Sequence, residues 1–220
     1  MQMRSRLSLV LFLATSAVAA SFAAQPKTVN PKLQNPAALV EQAPPTYRAR
    51  FETSQGVFVI EAHREWAPLA ADRFYNLVKN GFYNDARFFR VLSGFMAQFG
   101  LNGDPDVQRA WTNAGLADEA TKQSNRRGFV SFARESSPNS RYTMVFINFK
   151  DNSYLDSDGF PPFGQVVAGM DVVEKLYSGY GRTNVPDQRR ITSEGNAYLS
   201  AEYPKLDFIR RATIERTPGR

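Results

Sequence analysis

The chain has 220 residues, 43% hydrophobic and 22% charged, which fits one globular domain with additions and excludes a wholly disordered polymer. It has no cysteine and one histidine, which excludes a disulfide scaffold, thiolate and His-cluster metal sites, a Cys nucleophile and a Cys-linked lipid anchor. The formal charge is +6, or +4 (6 − 2) without Arg4 and Arg6; the remaining Lys and Arg are spread out apart from Arg126-Arg127, Arg189-Arg190 and the tail from Arg210, and no basic helix or RNA-binding signature argues for nucleic acid.

Residues 1–6 carry two arginines and no acid, residues 7–14 form an apolar run, and small residues follow to Ala24. A basic start, a short apolar stretch and a small-residue cleavage site describe a secretory signal peptide over residues 1–23, cut after Ala23 or, alternatively, after Ala19. The rival, an uncleaved anchor, is disfavoured by the weakly apolar second half of the run. Export without cysteine points to the bacterial periplasm, with no membrane association after cleavage. Residues 24–46 read as a Pro-rich polar linker: Pro26, Pro31, Pro36, Pro44 and Pro45 sit among polar and small residues without periodicity. Such a stretch has too little apolar surface to offset its ordering entropy.

From Tyr47 to the C-terminus the pattern is that of a folded domain. Residues 47–53 and 57–62 alternate around Ser54-Gln55-Gly56, which predicts a β-hairpin. Pro68 opens a helix whose apolar stripe is Leu69, Phe74, Leu77 and Val78, which Asn80-Gly81 ends. Asp72 lies near its positive end. Short strands are predicted at 87–92, 95–100, 128–133, 143–149 and 163–168. Helices follow at 170–177 and 191–203, the latter stopped by Pro204, with a last strand at 206–215. Seventeen Phe and nine Tyr favour β structure or an aromatic-lined groove. The fold class is therefore mainly β: a closed antiparallel barrel with two or three peripheral helices.

The most informative stretch is Phe88-Phe89-Arg90-Val91-Leu92-Ser93-Gly94-Phe95-Met96-Ala97-Gln98-Phe99-Gly100. By period two, Met96 and Gln98 share a face after a Ser-Gly turn, with Arg90 at the end of the preceding strand. This segment resembles the core motif of the cyclophilin family of peptidyl-prolyl cis-trans isomerases, Phe-His-Arg-x-x-x-Gly-Phe-Met-x-Gln-x-Gly. Every fixed position matches except His, which is Phe89. Gly128-Phe129-Val130-Ser131-Phe132-Ala133-Arg134 is similar to a further family segment. So is the stretch from Phe146-Ile147-Asn148 through Asp151-Asn152 to Leu155-Asp156. Phe163-Gly164-Gln165-Val166-Val167-Ala168-Gly169-Met170-Asp171-Val172-Val173 is a fourth match in order. The likeness runs from about Arg48 to the C-terminus and is weakest over 101–127 and 179–206.

The resemblance implies a cyclophilin-like barrel and roles for named residues. Arg90 would be the catalytic arginine, with Gln98 beside it binding substrate backbone. Phe95, Met96, Phe146 and Leu155 would line the proline pocket. Ala133 and Arg134 would meet the residue before proline. Met144 stands where the family has a second glutamine, Tyr154 where many members have Trp, and Phe160 replaces a loop His. The reaction breaks amide resonance, a barrier of about 18–20 kcal/mol, without covalent change, so no nucleophile, metal or cofactor is called for. A guanidinium donating to the twisted amide stabilises it above either planar form. The implied partners are proline-containing segments of unfolded or extended polypeptides, met by a monomer. The alternative is a proline-segment binding or chaperone module with little turnover, motivated by Met144. A barrel with a small apolar ligand inside would need a hollow interior.

Overall fold

The computed structural model describes residues 29–215, so the expected signal peptide at 1–23 lies outside the described residues. Eight strands form one sheet: β1 (Thr46–Thr53), β2 (Val57–His63), β3 (Arg90–Leu92), β4 (Met96–Phe99), β5 (Phe129–Phe132), β6 (Val145–Asn148), β7 (Pro162–Ala168) and β8 (Ile209–Ile214). Their order is β3-β4-β6-β5-β7-β2-β1-β8, and every pairing is antiparallel. The sheet curls until the lead-ins to its edge strands meet. Arg87 bridges Phe208, and Phe88 N–H donates to Asp207 O while Ile209 N–H donates to Ala86 O, each at 2.9 Å. Closure is thus a short seam rather than a ladder.

Period-two patterning places the core. In β1, Tyr47, Ala49, Phe51 and Thr53 point inward, and β2 contributes Phe58, Ile60 and Ala62. The interior is filled with rings: Phe51 stacks on Phe58 at 5.0 Å and meets Phe99 edge-on at 5.7 Å. Phe74 from helix α1 (Pro68–Lys79) packs on Phe163 at 4.8 Å. A filled interior removes the hollow-barrel reading. Helices α2 (Pro105–Ala110), α3 (Met170–Glu174) and α4 (Gln188–Glu202) complete the set, one more than expected, because six residues of α2 give too short a period to read.

Two expectations are corrected. Leu69 is exposed, because at about 100° per residue it lies roughly 140° from Phe74, off the buried stripe of Ala70, Ala71, Phe74, Leu77 and Val78. Asp72, the fifth residue of α1, forms an ion pair with Arg64 (2.8 Å) and accepts Ala43 N–H (2.9 Å), and leaves the free N–H groups of the helix start to another side chain. That start is held by Glu119, whose carboxylate accepts Leu69 N–H at 2.6 Å and Ala70 N–H at 3.1 Å. Finally, residues 29–45 are packed on the domain, not a free linker. The 3-10 turns Pro31–Gln34 and Pro36–Ala38 lead Leu33, Leu39 and Ala43 into the main core. Trp111 Nε1 donates to Leu33 O at 2.7 Å, and Asn76 clamps the Glu41 backbone through both amide atoms (3.2 and 2.7 Å). The prolines reduce the entropy lost on ordering, and three spaced apolar anchors suffice without a period.

Helix α4 explains Phe89. The ring is buried with Leu101, Ile191, Tyr198, Leu199 and Leu206, forming a second apolar cluster outside the barrel. A histidine there would put an imidazole among aliphatic and aromatic walls, so Phe suits the helix that covers it. Residue 195 must be glycine for α4 to bend: Gly195 has φ +61°, and a Cβ would overlap Gly103 O. Asn196 then donates its N–H to Gly103 O at 3.0 Å and its amide to Asp85 O at 3.0 Å.

Candidate active site

Strand register builds the site. Arg90 on β3 pairs with Gln98 on β4, which pairs with Phe146 on β6, which pairs with Ser131 on β5. Their side chains therefore rise in one row from one face of the sheet, while Ala97 and Phe99 turn into the barrel. The Ser93-Gly94 turn, with Gly94 at φ +67°, brings Phe95 and Met96 back beside Arg90.

A cleft of about 220 Å³ lies over that row. Arg90, Gln98, Phe95, Met96, Ala133, Arg134, Met144, Phe146, Leu155 and Phe160 all line it. Its floor is an apolar cluster of Leu92, Met96, Ala133, Phe146 and Leu155, with Phe95, Met144 and Phe160 partly buried against it. Phe160 meets Phe146 edge-to-face at 5.7 Å. The cleft is thus apolar at its floor, polar at its rim and open on one side.

Tyr154 does not belong to the lining: it is 57% exposed. It sits in the 3-10 turn Ser153–Asp156, where consecutive residues point about 120° apart, so the turn that buries Leu155 sends Tyr154 to solvent. Arg134 lines the cleft, but its guanidinium donates to the carbonyls of Glu135, Asp158 and Ser137. It acts as a brace for the loop that carries Phe160.

Arg90 is half-buried, and its Nη1 donates to Gln98 Oε1 at 3.1 Å. Gln98 Nε2 in turn points at the Met144 sulfur, 3.8 Å away. A thioether is a weak acceptor, so the amide N–H groups of Gln98 are weakly held. Burial lowers the pKa of Arg90 from its ordinary value, and the charge of Arg182 lowers it further. An arginine guanidinium keeps its charge in proteins, so the site holds a cation near neutrality.

Several contributors escaped the sequence reading. Glu135 and Gln188 complete the lining. Arg182 lies over the Phe95 ring, 5.6 Å from its centre. Beneath the cleft runs a buried amide chain. Asn152 donates to Phe95 O (3.0 Å) and Asn148 Oδ1 (2.8 Å). Asn125 donates to Phe160 O (2.8 Å), accepts from Ser131 (2.8 Å), and is held by Asp156. This chain fixes the backbone of two pocket walls. Asn148 and Asn152 fell in a quoted motif, so a signal for them existed; Arg182 and Gln188 had none.

A family model described as cyclophilin type peptidyl-prolyl cis-trans isomerase/CLD matches residues 48–195. The chain belongs to this cyclophilin family. It is 38% identical over 147 residues to a peptidyl-prolyl cis-trans isomerase of Acinetobacter baylyi, covering 62% of this chain and 78% of that one. It is 35% identical over 167 residues to peptidyl-prolyl cis-trans isomerase B of Escherichia coli, covering 72% and 93%. Among solved structures, a cyclophilin type isomerase of Cryptosporidium parvum superposes with a TM-score of 0.58 at 21% identity, over 79% of this chain and 99% of that one. A structure of that type of protein in the presence of the dipeptide Ala-Pro gives a TM-score of 0.57 at 21% identity, over 77% and 99%. The cyclophilin fold expected from the motifs is thus the fold found, and the barrel carries its cleft where β3, β4, β6 and β5 run side by side.

Proposed function

We propose that this cyclophilin speeds rotation about X–Pro bonds by Arg90-assisted stabilisation of the twisted amide, and that it does so for exported proteins as they fold. Its enzyme class is peptidyl-prolyl cis-trans isomerase. The observation that carries the mechanism is the register row: a guanidinium beside an apolar-floored slot, with an amide side chain holding its orientation. The proline ring fills the slot, and the preceding carbonyl swings through solvent at the open side. As conjugation is lost, the imide nitrogen becomes an acceptor. Arg90 donates to it, or to the prolyl carbonyl, and this contact is stronger in the twisted state than in either planar one. The apolar walls thin the water around the guanidinium, so each donated bond counts for more. The Ala-Pro dipeptide used with the Cryptosporidium relative supports a proline ligand for this cleft.

Uncatalysed isomerisation takes tens to hundreds of seconds, long enough to hold up folding, which gives an exported catalyst its use. The basic, apolar and small-residue succession of residues 1–24 supports periplasmic export. N-terminal sequencing of the protein recovered from periplasm should start at Ala24 or Ala20; an intact Met1 in the membrane fraction would refute it.

A protease-coupled assay on a proline-containing peptide tests the central claim. Turnover supports the isomerase, whereas peptide binding without turnover supports the binding module that Met144 suggests. Met144→Gln replaces the thioether beside Gln98 with an amide that can pair with substrate backbone. One added hydrogen bond is worth about 0.5–1.5 kcal/mol, so kcat/KM should rise about two- to tenfold. An unchanged or lower value would show that the sulfur costs this enzyme nothing.

A further inference from the structure

The connection from α3 to α4 and the start of α4 reach the rim of the cleft at two points: Arg182 in the connection covers the Phe95 ring, and Gln188, the first residue of α4, lines the cleft. Arg182 is exposed, and among the described residues no carboxylate lies within ion-pair distance of it. Arg90, on the same rim, also has no acidic partner; its bond goes to the neutral Gln98. The two guanidiniums feel one another, since the charge of Arg182 adds to burial in lowering the pKa of Arg90. Glu135, the acid of the lining, stands beyond β5, with β6 and β4 between it and Arg90. The rim is therefore positive on the Arg90 side, while across the cleft Glu135 stands next to Arg134 and the two charges offset one another.

We propose that Arg182, together with Arg90, makes this enzyme select an acidic residue, Asp or Glu, immediately after the proline. The assignment rests on the isomerase reading above. There Arg90 contacts the prolyl nitrogen or carbonyl, and the following Cα is 3.8 Å from that of proline across a trans peptide. A side chain at that position emerges beside the atom Arg90 holds and toward the guanidinium that lies over Phe95. A carboxylate there faces two cations that lack their own anions, whereas a lysine adds a third positive charge.

The test uses the full chain and three peptides that differ only after proline, carrying Glu, Gln or Lys, with exchange followed by NMR so that no protease imposes its own preference. The expected kcat/KM for Pro-Glu exceeds that for Pro-Lys about three- to fivefold at low salt, the range of a partly exposed ion pair, and the preference shrinks as salt rises. Arg182→Gln should at least halve the ratio, leaving the share that Arg90 supplies, and Arg182→Glu should bring it to one or below. Equal rates for the three peptides in the wild type, or a preference that Arg182→Gln leaves undiminished, would overturn the assignment and leave the isomerase intact. A wild type that turns over none of them would overturn the isomerase reading and this inference with it.

Discussion

Replacing Arg90 by alanine should lower kcat/KM on an X–Pro peptide about 10²–10³-fold, the loss expected for one preorganised donor aimed at a transition state. Peptide affinity should change far less. The slot of Met96, Phe146 and Leu155 does not depend on the guanidinium, and among the described residues Arg90 makes a single side-chain bond, to Gln98. The loss should therefore fall on kcat, the mark of an interaction made mainly in the transition state. Arg90→Lys should recover only part of it. Lysine keeps the charge but loses the planar fork that spans Gln98 and substrate at once. A variant at position 90 that isomerises at the wild-type rate would remove Arg90 from the chemistry.

Glu119→Ala should cost about 3–5 kcal/mol of stability, because it leaves a buried charge alone. The side chain of Arg141 is 1% exposed, and its Nη1 donates to Glu119 Oε2 at 3.1 Å. The other partners of Arg141 are Ala117 O and, at 4.0 Å, Asp118. The same carboxylate caps α1, whose N-cap residue Ala67 offers no side-chain acceptor. For a chain of this size about 1 kcal/mol moves Tm by 2–4 °C, so thermal unfolding should come roughly 10 °C earlier. Glu119→Gln keeps an acceptor for α1 and should lose less. Pairing Glu119→Leu with Arg141→Met removes both charges and should recover most of the ion-pair loss but not the cap. A midpoint within 2–3 °C of wild type in Glu119→Ala would mean that Asp118 takes over the pair.

That ion pair also answers what residues 101–127 are for, a question the linear pattern leaves blank. Glu119 reads as one more surface acid in a weakly patterned stretch. Its meaning comes from the fold of the chain, which brings it back 50 residues to the start of a helix. The packing of α4 on Phe89 is of the same kind. The replacement of His by Phe is visible in the motif, but the cluster of Leu101, Ile191 and Leu206 that requires it is assembled from three distant segments. The outward turn of Tyr154 follows from the pitch of a short 3-10 turn that no apolar period announces.

Most strands of the barrel and the shared face of Met96 and Gln98 were legible in the amino-acid order itself, whereas the roles of Arg90 and of the slot residues Phe146 and Leu155 came from the family resemblance. Alternation with period two is a local property, and the motif residues sit within a few positions of one another on two adjoining strands. Tertiary structure alone decided that residues 29–45 bury Leu33 and Leu39, that Glu119 caps α1, and that Arg182 stands over Phe95. Each of these joins segments far apart in sequence through loops with no period of their own. Where such loops lead is set by the free energy of the whole packed chain rather than by any window of residues within it.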